Sequence, residues 1–314
     1  MQIKANEINI EVEDTGGDGP AVLLIMGLAM QLTGWPEPFV QGLADAGYRV
    51  IRFDNRDVGL SQGFDAAPRH NILWQSVRQR LGLPVRSPYT LQDMAGDALG
   101  VLQALGVARA HIVGASMGGM IAQRVAAQAP ERALSLVSLM SSSGAQGLPG
   151  PRGDVALKLL RPPPASTEVA RVAYSVELVR LIGSPAFRES TEQIAARITE
   201  SVRRAYRPAG VLRQMLAIGA DQSRAEQLAR VTCPTLVLHG EADVLVPIGC
   251  GRDTARRIRE ARFIAVPGMG HDLPPQVVDI LLQHMLPFLG EVDARSRADS
   301  DSDSIPESTA SVAA

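Results

Sequence analysis

The sequence predicts an α/β protein: a mostly parallel wound sheet with helices on both faces and an inserted helical cap. Three observations predict it. Short apolar runs alternate with helical stretches over residues 1–144 and again over 227–290, and a chain that repeats strand and helix in this way lays its strands side by side in one sheet. Over residues 145–226 helical stretches follow one another with no strand-like run between them. The run Ala21-Val22-Leu23-Leu24-Ile25-Met26 is apolar at every position, which fits a central strand covered by helices on each side.

The elements follow in order. Residues 1–13 alternate apolar and polar through Ile8, Ile10 and Val12 and read as one or two antiparallel strands that open the sheet. The glycine-rich stretch from Thr15 to Pro20 turns the chain into the central strand, which ends in Gly27-Leu28-Ala29-Met30, a loop able to bring a backbone N–H toward a site. A short helix over about 36–46, with Phe39, Val40 and Leu43, is closed by Ala46-Gly47, and Tyr48 to Phe53 is the next strand. The loop from Asp54 onward is long and carries Trp74, Val77 and Leu81 at helical spacing, so a small helical insertion is placed there. Thr90, with Asp93 three residues on, starts a helix that runs through Met94, Leu99, Leu102 and Leu105 to Gly106. His111-Ile112-Val113 is a buried strand, Met120, Ile121 and Val125 mark a helix, and Leu134 to Met140 is a further strand.

Within 145–226, stretches from Val169 to Ile182, Thr191 to Tyr206 and Val211 to Ile218 have helical period, and the insertion reads as a cap over the sheet's carboxyl edge. The sheet resumes at Thr235 to His239. A helix through Ala255 and Ile258, the strand Phe263 to Val266, and a last helix through Val277, Ile280, Leu281 and Met285 complete it. Pro287 should kink or end that helix. Residues 291–314, rich in Ser, Asp and Ala, read as a disordered acidic tail. The domain reading is therefore a core of 1–144 and 227–290, a cap of 145–226 and a tail.

Composition narrows the function. Of 314 residues, 46% are hydrophobic and 20% charged, as in a soluble globular protein with a sizeable core. The net charge of −2 and the lack of a Lys/Arg-dense run argue against a nucleic-acid partner. The first residues lack the apolar core of a secretion signal and no run is long enough to span a bilayer, so a cytoplasmic protein with no membrane partner is expected. The two cysteines, Cys233 and Cys250, have no metal-binding spacing, and Cys233, just before a strand, reads as a small apolar residue.

The chemistry centres on Gly114-Ala115-Ser116-Met117-Gly118-Gly119, which joins a strand to a helix. A serine at the tip of such a turn is forced into a strained conformation that works only between small neighbours, and the helix that follows aims free N–H groups at any negative charge formed beside it. Gly59-Leu60-Ser61-Gln62-Gly63 fits the same pattern but has neither strand nor helix beside it, so Ser61 reads as loop structure. A serine nucleophile needs a base, and the base needs an acid to fix its tautomer. Of five histidines, His111 lies in a strand, His239 ends one, His284 is within the last helix and His70 is in a polar loop. His271 alone follows a strand through a glycine-containing turn, from which an imidazole can cross the sheet edge. Asp243, just past the strand ending at His239, is the favoured acid, with Glu241 as its neighbouring rival.

The order Ser116, Asp243, His271 is the one α/β-hydrolases use. Over about residues 8–290 the chain resembles that family, and within it the bacterial esterase and methylesterase-like group, through Ile25-Met26-Gly27-Leu28, Asp54-Asn55-Arg56, the serine turn and Gly268-Met269-Gly270-His271. The resemblance implies the α/β-hydrolase fold and an oxyanion hole from the backbone N–H groups of Met117 and Leu28. The first donor is expected independently, since Met117 opens the helix. Many relatives carry His-Gly where this chain has Met26-Gly27; the donor is a main-chain group, so the hole stays available and the second donor is the part the departure touches. The expected reaction is hydrolysis of small to medium uncharged carboxylic esters through an acyl-enzyme, with no cofactor and no metal. Serine at the turn argues against the dehalogenase and epoxide hydrolase relatives, which carry aspartate there. The same triad also fits a lactonase, thioesterase or C–C bond hydrolase and a cofactor-free haloperoxidase or perhydrolase, and the fold can serve as a small-molecule receptor.

Overall fold

The computed structural model describes residues 1–67, 74–75, 78, 83–161 and 167–303. Strands β1 (Gln2–Ala5) and β2 (Ile8–Asp14) form a hairpin in which Ile3 faces Ile10. Its two turn residues, Asn6 and Glu7, both have positive φ (48° and 67°), the turn whose twist matches that of the flanking strands. Strands β3 (Ala21–Ile25), β4 (Arg49–Phe53), β5 (Ala110–Ala115), β6 (Ala133–Leu139), β7 (Thr235–Gly240) and β8 (Arg262–Val266) complete one eight-stranded sheet in the order β1-β2-β4-β3-β5-β6-β7-β8. From β4 to β8 every pairing is parallel, and only β1 with β2 and β2 with β4 are antiparallel. Winding reverses between β3 and β5. Ligand crevices open at the carboxyl ends of strands at such a reversal.

Every residue of β3, β5 and β7 is buried, as apolar runs covered on both faces require. One apolar layer gathers under α2 (Leu91–Ala104) and α3 (Met117–Gln128), with Leu91, Met94, Val101, Ile121 and Val125 fully buried. The other lies under α1 (Glu37–Asp45) and the last helix, and joins Phe39, Val40 and Leu43 to Val277, Leu281 and Met285. Helix α2 begins where Thr90 and Asp93 cap each other reciprocally, with Asp93 N–H to Thr90 Oγ1 at 3.2 Å and Thr90 N–H to Asp93 Oδ2 at 2.7 Å. It stops because Gly106, at φ 68°, reverses the chain and lets Val107 N–H bond back to the Leu102 carbonyl at 2.8 Å.

Between β6 and β7 the chain forms helices α4 (Gly153–Leu160), α5 (Glu168–Ile182), α6 (Thr191–Arg204), α7 (Pro208–Ala220) and the short α8 (Arg224–Gln227), with no strand among the described residues. Helix α9 (Ile248–Arg257) packs beside β7 and β8. Among the described residues no helix is long and apolar enough to cross a membrane.

The chain's end differs from the sequence reading. Helix α10 (Pro275–Asp303) carries Pro287 inside it and continues through the start of the stretch expected to be a disordered acidic tail. Val292 is buried in the apolar layer, and Asp293 accepts hydrogen bonds from Tyr48 Oη at 3.0 Å and His111 Nε2 at 3.1 Å. The reading of 291–314 as disordered is thus corrected for 291–303. Composition hid it, because the segment's anchor is a carboxylate whose partners lie far back in the chain. The rest of that stretch, 304–314, lies outside the described residues, as do His70, Val77 and Leu81.

Candidate active site

The serine turn stands at the carboxyl end of β5. Ser116 has φ 56° and ψ −121°, a left-handed backbone that a residue with a side chain adopts only when its surroundings compel it. Its neighbours explain how. A Cβ on Gly114 would lie 2.1 Å from the Gly118 carbonyl oxygen, and one on Gly118 would lie 1.9 Å from the Ile25 carbonyl oxygen. Larger residues at either position would push α3 off the sheet. Two outside bonds pin the turn: Ser116 N–H to the Leu139 carbonyl at 2.9 Å, and Ser141 Oγ to the Ser116 carbonyl at 2.7 Å.

The structure brings the three sequence-selected side chains together. Ser116 Oγ lies 2.9 Å from His271 Nε2, and His271 Nδ1 lies 2.7 Å from Asp243 Oδ2. A carboxylate only accepts, so Nδ1 carries the proton and Nε2 turns its lone pair to the hydroxyl. Asp243 is buried, and its second oxygen accepts from Leu245 N–H at 2.9 Å and Val246 N–H at 2.8 Å. Glu241, the rival, is exposed. His239 stands behind the acid, with Nε2 donating to the Val246 carbonyl at 2.7 Å and lying 3.6 Å from Asp243 Oδ2. Burial pushes its imidazole below the usual histidine range.

The end of helix α5 and the residue pair after it hold the histidine loop, a contact that no local pattern marks. His271 N–H donates to the Ile182 carbonyl at 2.8 Å, and Ser184 Oγ accepts from Gly270 N–H at 2.9 Å while donating to Asp272 Oδ1 at 2.5 Å. Burial raises the Asp272 carboxyl against the lowering effect of Ser184, whose N–H also donates to Asp272 Oδ1 at 2.9 Å. Gly270 has no room for a side chain, because its Cβ would sit 2.5 Å from Gly183.

Asp54-Asn55-Arg56-Asp57 works as scaffold. Asn55 Nδ2 donates to the Met26 carbonyl at 2.9 Å, Arg56 clasps Asp97 at 2.6 and 2.7 Å, and Asp57 is clasped by Arg213 of α7 at 2.7 Å through both oxygens. Burial alone would raise Asp57; Arg213, Phe64 N–H and Tyr89 outweigh it and hold the carboxyl below its usual range. Ser61 is fully buried and bonds the Asp54 carbonyl at 2.6 Å, a loop role.

The Gly27–Leu28 loop approaches the serine closely. A Cβ on Gly27 would lie 3.1 Å from Ser116 Cβ and 3.6 Å from its Oγ. Among the described residues neither Leu28 N–H nor Met117 N–H has a hydrogen-bond acceptor. Also among the described residues, no group of three His, Cys, Asp or Glu side chains is arranged to hold a metal ion.

The sequence pattern of the alpha/beta hydrolase fold matches residues 20–275. The chain belongs to the α/β-hydrolase family. This α/β-hydrolase is 30% identical over 291 residues to rhodomycin D methylesterase of a Streptomyces species, a match covering 87% of this chain and 92% of that one. It is 27% identical over 296 residues to a 2-hydroxy-6-oxononadienedioate/2-hydroxy-6-oxononatrienedioate hydrolase of a Pseudomonas species, covering 92% and 95% of the two chains. It also superposes on the enol-lactonase of Burkholderia xenovorans with a TM-score of 0.71 at 21% identity, over 92% of this chain and 100% of that one. At that identity the likeness shows the fold alone.

Proposed function

We propose that the protein is a serine hydrolase that cleaves carboxylic esters of small to medium uncharged substrates. The observation that carries the reading is the unbroken relay of 2.9 and 2.7 Å from Ser116 through His271 to Asp243, set on a strained turn at the head of a helix. In the first step Ser116 Oγ attacks the ester carbonyl as His271 Nε2 takes its proton, and the carbonyl electron pair moves onto oxygen. Met117 and Leu28 N–H groups, together with the positive end of α3, receive that negative charge. The tetrahedral adduct expels the alcohol, protonated by His271, and leaves an acyl-enzyme. Water, deprotonated by the same imidazole, then releases the acid. Asp243 holds Nδ1–H throughout and steadies the imidazolium.

The substrate class draws support from the methylesterase relative, so methyl and other short alkyl esters are the first compounds to try. The Pseudomonas hydrolase favours a second reading in which the same relay cleaves a C–C bond, and the relay fits lactone opening on the same chemistry. A chain-length panel of nitrophenyl esters, with thioester and lactone arms, tests both using the wild type and Ser116→Ala. Ester turnover that vanishes in the variant is expected. Turnover that survives it removes Ser116 as the nucleophile, and silence of the wild type in every arm favours a binding protein.

A further inference from the structure

The loop that would supply the second oxyanion donor is held from two directions. From the core, Asn55 Nδ2 ties the Met26 carbonyl at 2.9 Å and Asp54 Oδ1 ties Leu32 N–H at 2.7 Å. Between those ties, the loop closes a turn on itself, with Met30 N–H donating to the Gly27 carbonyl at 3.2 Å, and side chains and carbonyls of the insertion supply further contacts. Gln31 Nε2 donates to the Ser201 carbonyl at 2.6 Å and the Ala205 carbonyl at 3.0 Å, and Arg204 Nη1 donates to Gln31 Oε1 at 2.6 Å. Closest to the hole, Ala29 N–H donates to Gln214 Oε1 at 3.0 Å.

Gln214 projects from the middle of α7 and is fully buried. Its amide nitrogen donates to the Arg56 carbonyl at 2.9 Å, so both ends of the side chain are spent on main chain, one end on each of two loops. An amide is the residue type that can donate on one side and accept on the other. The Ala29 N–H it holds belongs to the Leu28–Ala29 peptide, the plane directly after the proposed donor. Ala29 itself sits at φ 64°, a left-handed conformation an alanine keeps only under outside constraint. Gly27, in the peptide before it, runs so near Ser116 that a Cβ there would lie 3.1 Å from Ser116 Cβ.

We infer that Gln214 is a positioning residue that reaches from the inserted helices to hold Leu28 N–H where the oxyanion forms beside Ser116. The inference rests on the serine-hydrolase reading above. It makes the oxyanion hole a joint product of both parts of the chain: the core supplies Met117, and the insertion sets the alignment of Leu28. Without the Gln214 contact the turn would keep only its own 3.2 Å bond from Met30 N–H to the Gly27 carbonyl, and the hole would lose alignment at one donor while substrate still bound.

The test compares the wild type with Gln214→Leu and Gln214→Glu on a nitrophenyl ester, and on an aryl trifluoromethyl ketone. The ketone forms a bond to Ser116 Oγ, passes the hydroxyl proton to His271 and places its carbonyl electron pair on oxygen, so it reports the hole directly. For Gln214→Leu, kcat should fall by about tenfold to a hundredfold, somewhat less than the loss of a whole donor. KM should move by less than about threefold. Ketone affinity should fall by the same factor as kcat/KM. Gln214→Glu should recover activity as pH falls, because only a protonated carboxyl can donate to the Arg56 carbonyl while accepting from Ala29; the ratio of variant to wild-type kcat is read from about pH 5 to about pH 9. Wild-type kcat and ketone affinity in Gln214→Leu overturn the inference, as does a lowered kcat with unchanged ketone affinity. Where Gln214→Leu does not fold, the Gln214→Glu ratio decides, and a ratio flat with pH overturns it. Turnover surviving in Ser116→Ala, in contrast, sinks the parent reading whatever Gln214 does.

Discussion

Two Ser–His–Asp arrays sit at opposite ends of the same sheet. At the carboxyl end, Ser116, His271 and Asp243 are linked at 2.9 and 2.7 Å. Near the amino end, Ser135 Oγ lies 2.8 Å from His111 Nδ1, and His111 Nε2 lies 3.1 Å from Asp293 Oδ1. Side-chain types and their order are the same, but the two imidazole nitrogens exchange partners: Nε2 faces the serine in the first array and Nδ1 in the second. The backbones differ. Ser135 lies inside β6, is fully buried, and pairs in register with His111 on β5. No left-handed turn presents it, no helix begins beside it, and Tyr48 Oη also donates to its aspartate. On the proposed function, then, a hydrogen-bonded relay alone does not make a nucleophile. Besides the exchanged ring nitrogens, what separates the two serines is main chain: a strained turn that lifts Ser116 Oγ from the sheet, and free N–H groups beside it.

Serine removal should split the arrays most widely. Ser116→Ala is expected to lower kcat on a nitrophenyl ester on the order of a millionfold. Ser135→Ala should leave kcat unchanged and cost about 1 kcal/mol of stability through the unpaired His111 nitrogen. Steady-state kinetics and urea unfolding on both proteins measure the contrast, and a large kcat loss in Ser135→Ala would erase it.

The aspartates come next. Asp243→Asn should cost about ten-thousandfold in kcat, because an amide can leave His271 in the wrong tautomer. Asp293→Ala should cost about 3 kcal/mol by stranding His111 Nε2–H and Tyr48 O–H in the interior, with kcat intact below the unfolding transition. Asp293→Ala should also loosen the end of α10, read as faster amide hydrogen exchange after Phe288. An inactive but stable Asp293→Ala protein would contradict this assignment.

The two arrays also show what a sequence discloses. Ser116, Asp243 and His271 were legible because each stands at a strand end in a pattern whose glycines have a steric reason, visible in the 1.9 Å approach at Gly118. The strands were legible because burial on both faces writes continuous apolar runs. The sequence marks His111 only as a strand residue, and composition alone places its partner Asp293 in a disordered tail. Nothing local marks a carboxylate whose bond crosses the whole chain, and nothing local at Pro287 shows that packing of Phe288, Leu289 and Val292 would carry the helix through. Ser184 and Gln214 were missed for the same reason: inside a helical insertion, a buried polar residue looks like an exposed one.

The smallest effect separates the ends by charge rather than by chemistry. His239, behind Asp243, is buried with Nδ1 unpartnered among the described residues, and burial depresses its basicity despite the raising influence of the Val246 carbonyl and Asp243. The unfolded chain then binds a proton there more readily than the folded one. Stability should therefore be whole above the usual histidine value of 6.5 and decline as pH falls below it, until the folded group itself takes the proton. One such group can contribute at most about 1.4 kcal/mol per pH unit. His239→Gln keeps a donor for the Val246 carbonyl and cannot be charged, so its urea-unfolding free energy should fall less steeply than the wild type's between about pH 6.5 and about pH 5. Carboxylates common to both proteins cancel in that difference. Equal slopes would mean that His239 meets a proton as easily folded as unfolded, and that the interior behind Asp243 is wetter than the geometry allows.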